Sequence, residues 1–171
     1  MCKSSLIVNL FSQPDVDKSI ISHYITTQLK MMGFNVEHVQ NWTRGLEDDD
    51  KSFRNLLYMF GKQSYEVSKL FGTCDIIINE SPIISAVQFI NENELKKALM
   101  EHYISYGLNN LNIYLDYEDD EYKTMFINNL NSTCADMNCE YITFIDIPAT
   151  IDGCGNIVNL VSGILNRLKE N

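Results

Sequence analysis

A lysine followed by a serine, Lys18-Ser19, stands behind the apolar run Leu6-Ile7-Val8-Asn9-Leu10-Phe11 and the polar stretch Ser12-Gln13-Pro14-Asp15-Val16-Asp17. Strand, loop, Lys-Ser and helix is the outline of a phosphate-binding loop. In such a loop backbone N–H groups curl around phosphate, the lysine meets β- or γ-oxygens and the serine hydroxyl reaches Mg²⁺. The pattern G-x-x-x-x-G-K-[ST] needs glycine at both ends of the loop, where this chain has Ser12 and Asp17. A carboxylate about 4 Å from a phosphate oxygen is repelled by roughly 4 kcal/mol at an effective dielectric near 20. Both Asp15 and Asp17 lie in the loop.

A second group belongs with the first. Cys74-Asp75-Ile76-Ile77-Ile78-Asn79-Glu80 is an apolar run closing on a carboxylate, and ligands of α/β sheets bind beyond the carboxyl ends of strands. Lys18, Ser19 and Glu80 therefore converge on one place, with Ser19 and Glu80 as candidate Mg²⁺ ligands. A plainer reading stands beside this one: Asp17 caps the helix that Lys18 and Ser19 open, and Glu80 is a cap or turn residue before Ser81-Pro82. His23, His38 and His102 lie far apart in the sequence and have no nucleophile partner, so they read as surface or core histidines.

The elements that must position these groups follow from periodicity. Leu6 to Phe11 suits a strand buried on both faces. A helix starts at about Lys18, with apolar positions Ile20, Ile21, Tyr24, Ile25, Leu29 and Met32, and stops at Gly33. Phe34 to Val39 alternates as a second strand. A helix from about Lys51 to Phe71 ends at Gly72, Cys74 to Glu80 is the third strand, and Ile83 to Tyr106 reads as helical with a break near Asn91 and Asn93. Leu111 to Leu115 is a fourth strand. A helix reaches about Leu130, Tyr141 to Ile147 is a fifth strand, Pro148 to Gly155 is a loop, and Ile157 to Leu168 is the closing helix. Strands alternating with helices at this spacing predict a single three-layer α/β domain over residues 1–171 around a five-stranded parallel sheet.

Composition narrows the function. Of 171 residues, 45% are hydrophobic and 21% charged, ordinary for one globular domain. The formal charge of −10 argues against nucleic acid or an anionic membrane as partner and for a protein with a basic surface. The five scattered cysteines show no metal-binding spacing and read as reduced thiols of a cytoplasmic protein. The start of the chain carries no stretch long enough for a signal peptide or membrane span.

Four stretches carry a resemblance: Val8-Asn9-Leu10-Phe11 with Pro14 and Lys18-Ser19; Met32-Gly33-Phe34-Asn35-Val36-Glu37; Tyr58-Met59-Phe60-Gly61-Lys62-Gln63; and Asp75-Ile76-Ile77-Ile78-Asn79-Glu80-Ser81-Pro82. In these the chain resembles the phage-encoded P-loop ATP-binding proteins of the nucleotide-kinase group, from about residue 5 to 85, and beyond that in element order and in Asn112 to Leu115. The resemblance implies a P-loop nucleotide-kinase fold, ATP and Mg²⁺ as cofactors, and Ser12, Asp17, Lys18, Ser19, Arg44, Gln63 and Glu80 as nucleotide-binding positions. It places Trp42 near a substrate cleft. The chain departs from the group at Ser12 and Asp17, at Asn41 and Glu66, at Glu80 in place of Asp, and in a lid reading Asp116-Tyr117-Glu118-Asp119-Asp120 where basic residues are implied. Lost lid arginines forfeit a term worth about 10³ to 10⁵ in rate in related phosphoryl-transfer systems.

These departures predict a catalytically degenerate P-loop protein that binds or inhibits a host protein as a viral accessory factor. The expected contact is an acidic face made by Glu47, Asp48, Asp49 and Asp50 with Glu118, Asp119, Asp120 and Glu121. The alternatives are a divergent Mg-ATP-dependent nucleotide or nucleoside kinase using Lys18, Ser19 and Glu80, and a sensor that binds nucleotide without turnover.

Overall fold

The computed structural model describes residues 4–13, 16–41, 56–85, 90, 92–116 and 121–170. Arg44, the acidic runs at 47–50 and 118–120, and Trp42 lie outside the described residues. Five strands, β1 (Leu6–Phe11), β2 (Val36–Val39), β3 (Ile76–Asn79), β4 (Asn110–Asp116) and β5 (Ile145–Pro148), form one parallel sheet in the order β2-β3-β1-β4-β5. The helices are α1 (Lys18–Met31), α2 (Leu56–Leu70), α3 (Asn93–Ile104), α4 (Glu121–Met137) and α5 (Ile151–Glu170). The three-layer α/β architecture expected from the alternation is the one observed.

Every residue of β1 is buried, as a central strand covered on both faces requires. Alternation sorts its side chains. Leu6, Val8 and Leu10 pack with Ile21, Ile25 and Leu29 of α1 and with Ile157, Val158, Val161 and Leu165 of α5. Ile7 meets Ile77 and Val67 on the other face, and Phe11 meets Tyr114, Phe126 and Leu130 there. Each fully buried aliphatic chain contributes about 1.5–3 kcal/mol.

Asn9 shares that second face and begins a polar row. Its amide nitrogen donates to Asn110 Oδ1 (3.0 Å) and Asn112 Oδ1 (3.1 Å), and its oxygen accepts from Asn79 Nδ2 (2.9 Å). The Tyr103 hydroxyl donates to Asn112 Oδ1 (2.6 Å), and Gln63 Nε2 to Asn79 Oδ1 (2.8 Å). Asn9, Asn79, Asn110, Gln63 and Tyr103 border a cavity of about 20 Å³, room for about one water.

Helix α1 stops where Gly33 takes φ 88°, with Gly33 N–H donating to Lys30 O and Phe34 N–H to Leu29 O, the paired bonds of a glycine stop. Its buried stripe is narrower than periodicity suggests: Ile21, Ser22, Ile25 and Leu29 face inward, whereas Ile20 (71%) and Met32 (52%) are exposed. The segment expected to be helical from Ile83 resolves into a short turn at 83–85 and α3.

Two boundaries at the C-terminal end differ from expectation. β5 is a short edge strand starting at Ile145, and α5 starts at Ile151, within the stretch read as a loop. Thr150 caps the helix, its Oγ1 accepting from Gly153 N–H (3.1 Å). Gly153 is in the helix because a Cβ there would lie 2.0 Å from Pro148 O, so the glycine serves a close helix–strand approach and not a turn. Gly155 has open space around it. Gly153→Ala therefore lowers Tm, while Gly155→Ala raises stability by about 0.5–1 kcal/mol through helix propensity. Thermal and urea unfolding of the two variants check the contrast, and equal effects would refute the close-approach role.

Candidate functional site

The carboxyl ends of β1 and β3 are neighbours in the sheet, so Ser12 and Glu80 come out at one edge, opposite the start of α1. Asp17 is the α1 N-cap: its Oδ1 accepts from Ser19 N–H (3.1 Å) and from the Ser19 hydroxyl (2.6 Å). Lys18 N–H donates to Val16 O (2.9 Å), and Val16 N–H to Gln13 O (3.3 Å). The backbone at the end of the loop thus closes on its own acceptors.

Lys18 Nζ donates to Ser12 Oγ (3.0 Å), which in turn donates a hydrogen bond to Gln13 O (2.8 Å). Burial lowers the Lys18 pKa, and the negative charges of Glu80 and Asp17 act against that shift. An ammonium has three donors. Among the described residues Ser12 is the hydrogen-bond acceptor that Lys18 has.

Glu80 is buried at 2% exposure immediately after β3. Its Oε1 accepts from the Ser22 hydroxyl and from His38 Nε2 (2.8 Å), and its Oε2 from Asn41 N–H (3.1 Å). Burial would raise its pKa; the hydrogen bonds from His38, Ser22 and Asn41 outweigh that and bring it down to about 2. The His23 ring stacks edge-on against His38 with centroids 4.7 Å apart. The histidines read from sequence as isolated are therefore neighbours, because α1 packs across β2 and sets His23 over His38 on the same face of the sheet.

The predicted residues divide accordingly. Ser12, Asp17, Lys18 and Ser19 lie along the loop and the first turn of α1, and Lys18 and Glu80 are close enough to interact electrostatically. Gln63 is buried on α2 and bonds into the asparagine row on the opposite face, so its amide is committed there and not to Lys18. Glu121 is exposed in the first turn of α4. Glu66 sits in a surface pair with Lys62 and Lys69. Lys123 reaches back to Asp116 (3.5 Å), the last residue of β4, and to Asp146 (3.0 Å) in β5, so these two acids have a cation between them.

His23, His38 and Glu80 could hold a metal ion, their donor atoms lying within 4.8 Å of one another. Imidazole nitrogens suit transition ions better than Mg²⁺, which seeks an octahedron of oxygens. The Ser19 hydroxyl, the other candidate Mg²⁺ ligand, donates to Asp17. Sequence reasoning missed Ser22 and both histidines; a buried serine on the inner stripe of α1 was the available signal.

Three solved structures share this architecture over nearly their whole length. The protein designated APE1195 superposes with a TM-score of 0.55 at 16% identity, covering 96% of this chain and 99% of its own. Thymidylate kinase from Ehrlichia chaffeensis gives 0.58 at 11% identity over 95% and 99%. The Mycobacterium tuberculosis APS kinase, solved with AMPPNP and APS, gives 0.51 at 11% identity over 98% and 99%. The fold is that of the P-loop nucleotide-kinase-like proteins. No protein-family model and no curated protein matches the sequence. No helix among the described residues is long and apolar enough to cross a membrane.

Glu80 makes stability depend on pH in a fixed direction. Its folded pKa, about 2, lies below the ordinary 4.5, so its contribution is complete above about 4.5 and is lost as pH falls towards 2. Glu80→Gln flattens this part of the acid-unfolding curve and lowers stability at neutral pH. Tm measured against pH for both proteins tests it; superimposable acid limbs would rule the contribution out.

Proposed function

We propose that this is a nucleotide-kinase-like protein that binds a nucleoside phosphate at the end of β1, with Lys18 as the phosphate contact. The observation that carries the reading is the half-buried Lys18 ammonium: among the described residues it has a single neutral hydrogen-bond acceptor, Ser12 Oγ, for three donors. An ammonium drawn partly out of water with donors to spare is costly, and an anionic oxygen beside Lys18 would supply the further acceptors. The kinase fold brings such ligands to this edge of the sheet.

Phosphoryl transfer is the further step of the same reading. ATP would supply the transferable phosphoryl group, and this chain's own residues would bind and orient it. Lys18 would meet the phosphate, Ser12 would hold the lysine stem's end in place, and Asp17 would oppose the bound charge.

A second reading is supported by Asp17, whose carboxylate takes the Ser19 N–H and O–H that a phosphate would otherwise meet. In it the domain is catalytically degenerate, and its formal charge of −10 serves to engage a basic host protein as a viral accessory factor. Reduced thiols at Cys74, Cys134, Cys139 and Cys154 fit a cytoplasmic setting for either reading.

Calorimetry and thermal shift with ATP, GTP and deoxynucleoside monophosphates separate the two. A bound nucleotide raises Tm, and Lys18→Met, which keeps the apolar stem, weakens binding by roughly 10- to 100-fold, the worth of a charged hydrogen bond of about 1.5–3 kcal/mol. Asp17→Asn preserves the helix cap, because Asn and Asp cap equally well, and removes one repulsive charge, so Tm stays unchanged while nucleotide affinity rises. No stabilisation by any nucleotide, in the parent or in Asp17→Asn, overturns the nucleotide reading. Product formation that vanishes in Lys18→Met would establish a kinase; binding without turnover would establish a sensor.

A further inference from the structure

We propose that His23, His38 and Glu80 form a Zn²⁺ site that clamps α1 to β2 and β3. The site stands apart from the nucleotide reading and does not need it.

The orientation of His23 is the first argument. Its Nδ1 lies 2.6 Å from Ser19 O, one turn back along α1. A carbonyl oxygen only accepts, so Nδ1 carries the hydrogen and Nε2 is left with its lone pair. Histidine ligands are commonly prepared in this way, one ring nitrogen donating to a backbone carbonyl while the other binds the ion.

The second argument is the arrangement of the other two donors. His38 Nε2 and Glu80 Oε1 are already 2.8 Å apart and hydrogen-bonded. In a tetrahedral zinc site with bonds of about 2.0–2.1 Å, donor atoms stand about 3.3 Å from one another. Zn²⁺ takes the place of the hydrogen on His38 Nε2, which leaves to solvent or moves to Nδ1 of the same ring, and the exposed His23 ring moves in to close the third contact. Ser22 and Asn41 keep holding the carboxylate while it binds. Burial rises from His23 through His38 to Glu80, so the ion enters from solvent and comes to rest against the sheet. Two imidazoles and one carboxylate are a zinc donor set, with a fourth position for water.

The test uses the full chain stripped of metal by a chelator. Titrated with CoCl₂, it should take up a single equivalent and show the visible bands of tetrahedral Co²⁺ without a sulfur charge-transfer band. ZnCl₂ should displace the Co²⁺ and raise Tm, and MgCl₂ should do neither. His23→Ala, at an exposed position, should leave the metal-free Tm unchanged and weaken Zn²⁺ binding by more than about tenfold, since even groups one step removed from a metal are worth about 10- to 100-fold. Absence of a cobalt spectrum, a sulfur charge-transfer band, equal competition by Mg²⁺, or full affinity in His23→Ala would each overturn the site. A null nucleotide titration leaves all these readouts intact.

Discussion

A carboxylate withdrawn from water must be compensated where it stands, and in this domain that requirement falls on Glu80. The effective penalty for burying one ion is several kcal/mol. The partners that meet it come from three directions: Ser22 from α1, His38 from β2 and Asn41 from the residue beyond β2. Glu80 N–H also donates to Val39 O, which extends the β2–β3 pairing by one step. One side chain thereby fixes how far α1 slides over the sheet and how β2 meets β3. The start of α1, and with it Asp17 and Lys18, is placed by the same contact.

The loop before α1 shows a second compensation. Ser12 stands where a glycine would let the backbone curl, but its hydroxyl joins Lys18 to the end of β1 and donates a hydrogen bond to Gln13 O. Asp17 stands at the other glycine position and pairs with the first turn of α1. Both replacements therefore have partners of their own. The loop is stabilised without a ligand, at some cost to its reception of one, because Asp17 brings negative charge to the place where phosphate would sit.

Much of this was legible in the sequence. β1 announces itself because six consecutive residues are buried and all but Asn9 are apolar. The glycine stops at Gly33 and Gly72 are legible because both sit at positive φ, where other residues are strained. The start of α5 was not: Gly153 and Gly155 look like loop residues, and only the approach of Pro148 O explains one of them. The histidine pair was hidden for a different reason. His23 and His38 are separated by a helix, a turn and a strand entry, and their juxtaposition depends on the angle at which α1 crosses β2, which periodicity does not encode. Gln63, read as a nucleotide-binding position, bonds instead into the asparagine row, because the choice between the two depends on which face of the sheet α2 covers.

That row makes the last connection between fold and site. Asn79, Asn9 and Asn112 are register partners across three adjacent strands, and their amides satisfy one another. The net gain from such bonds is small, about 0.5–1.5 kcal/mol each, but leaving them unmade is expensive. Slipping β1 by one residue against β3 or β4 would turn Asn9 into the apolar layer beneath α1 and α5, leaving its neighbours' amides unpaired in the core. The row thus contributes less to the depth of the native well than to its uniqueness. Because β1 and β3 are pinned level at Asn9 and Asn79, Glu80 comes out level with Leu10, and Ser12 follows two residues further along the neighbouring strand. The polar core on one face of the sheet is what aligns the charged site at its edge.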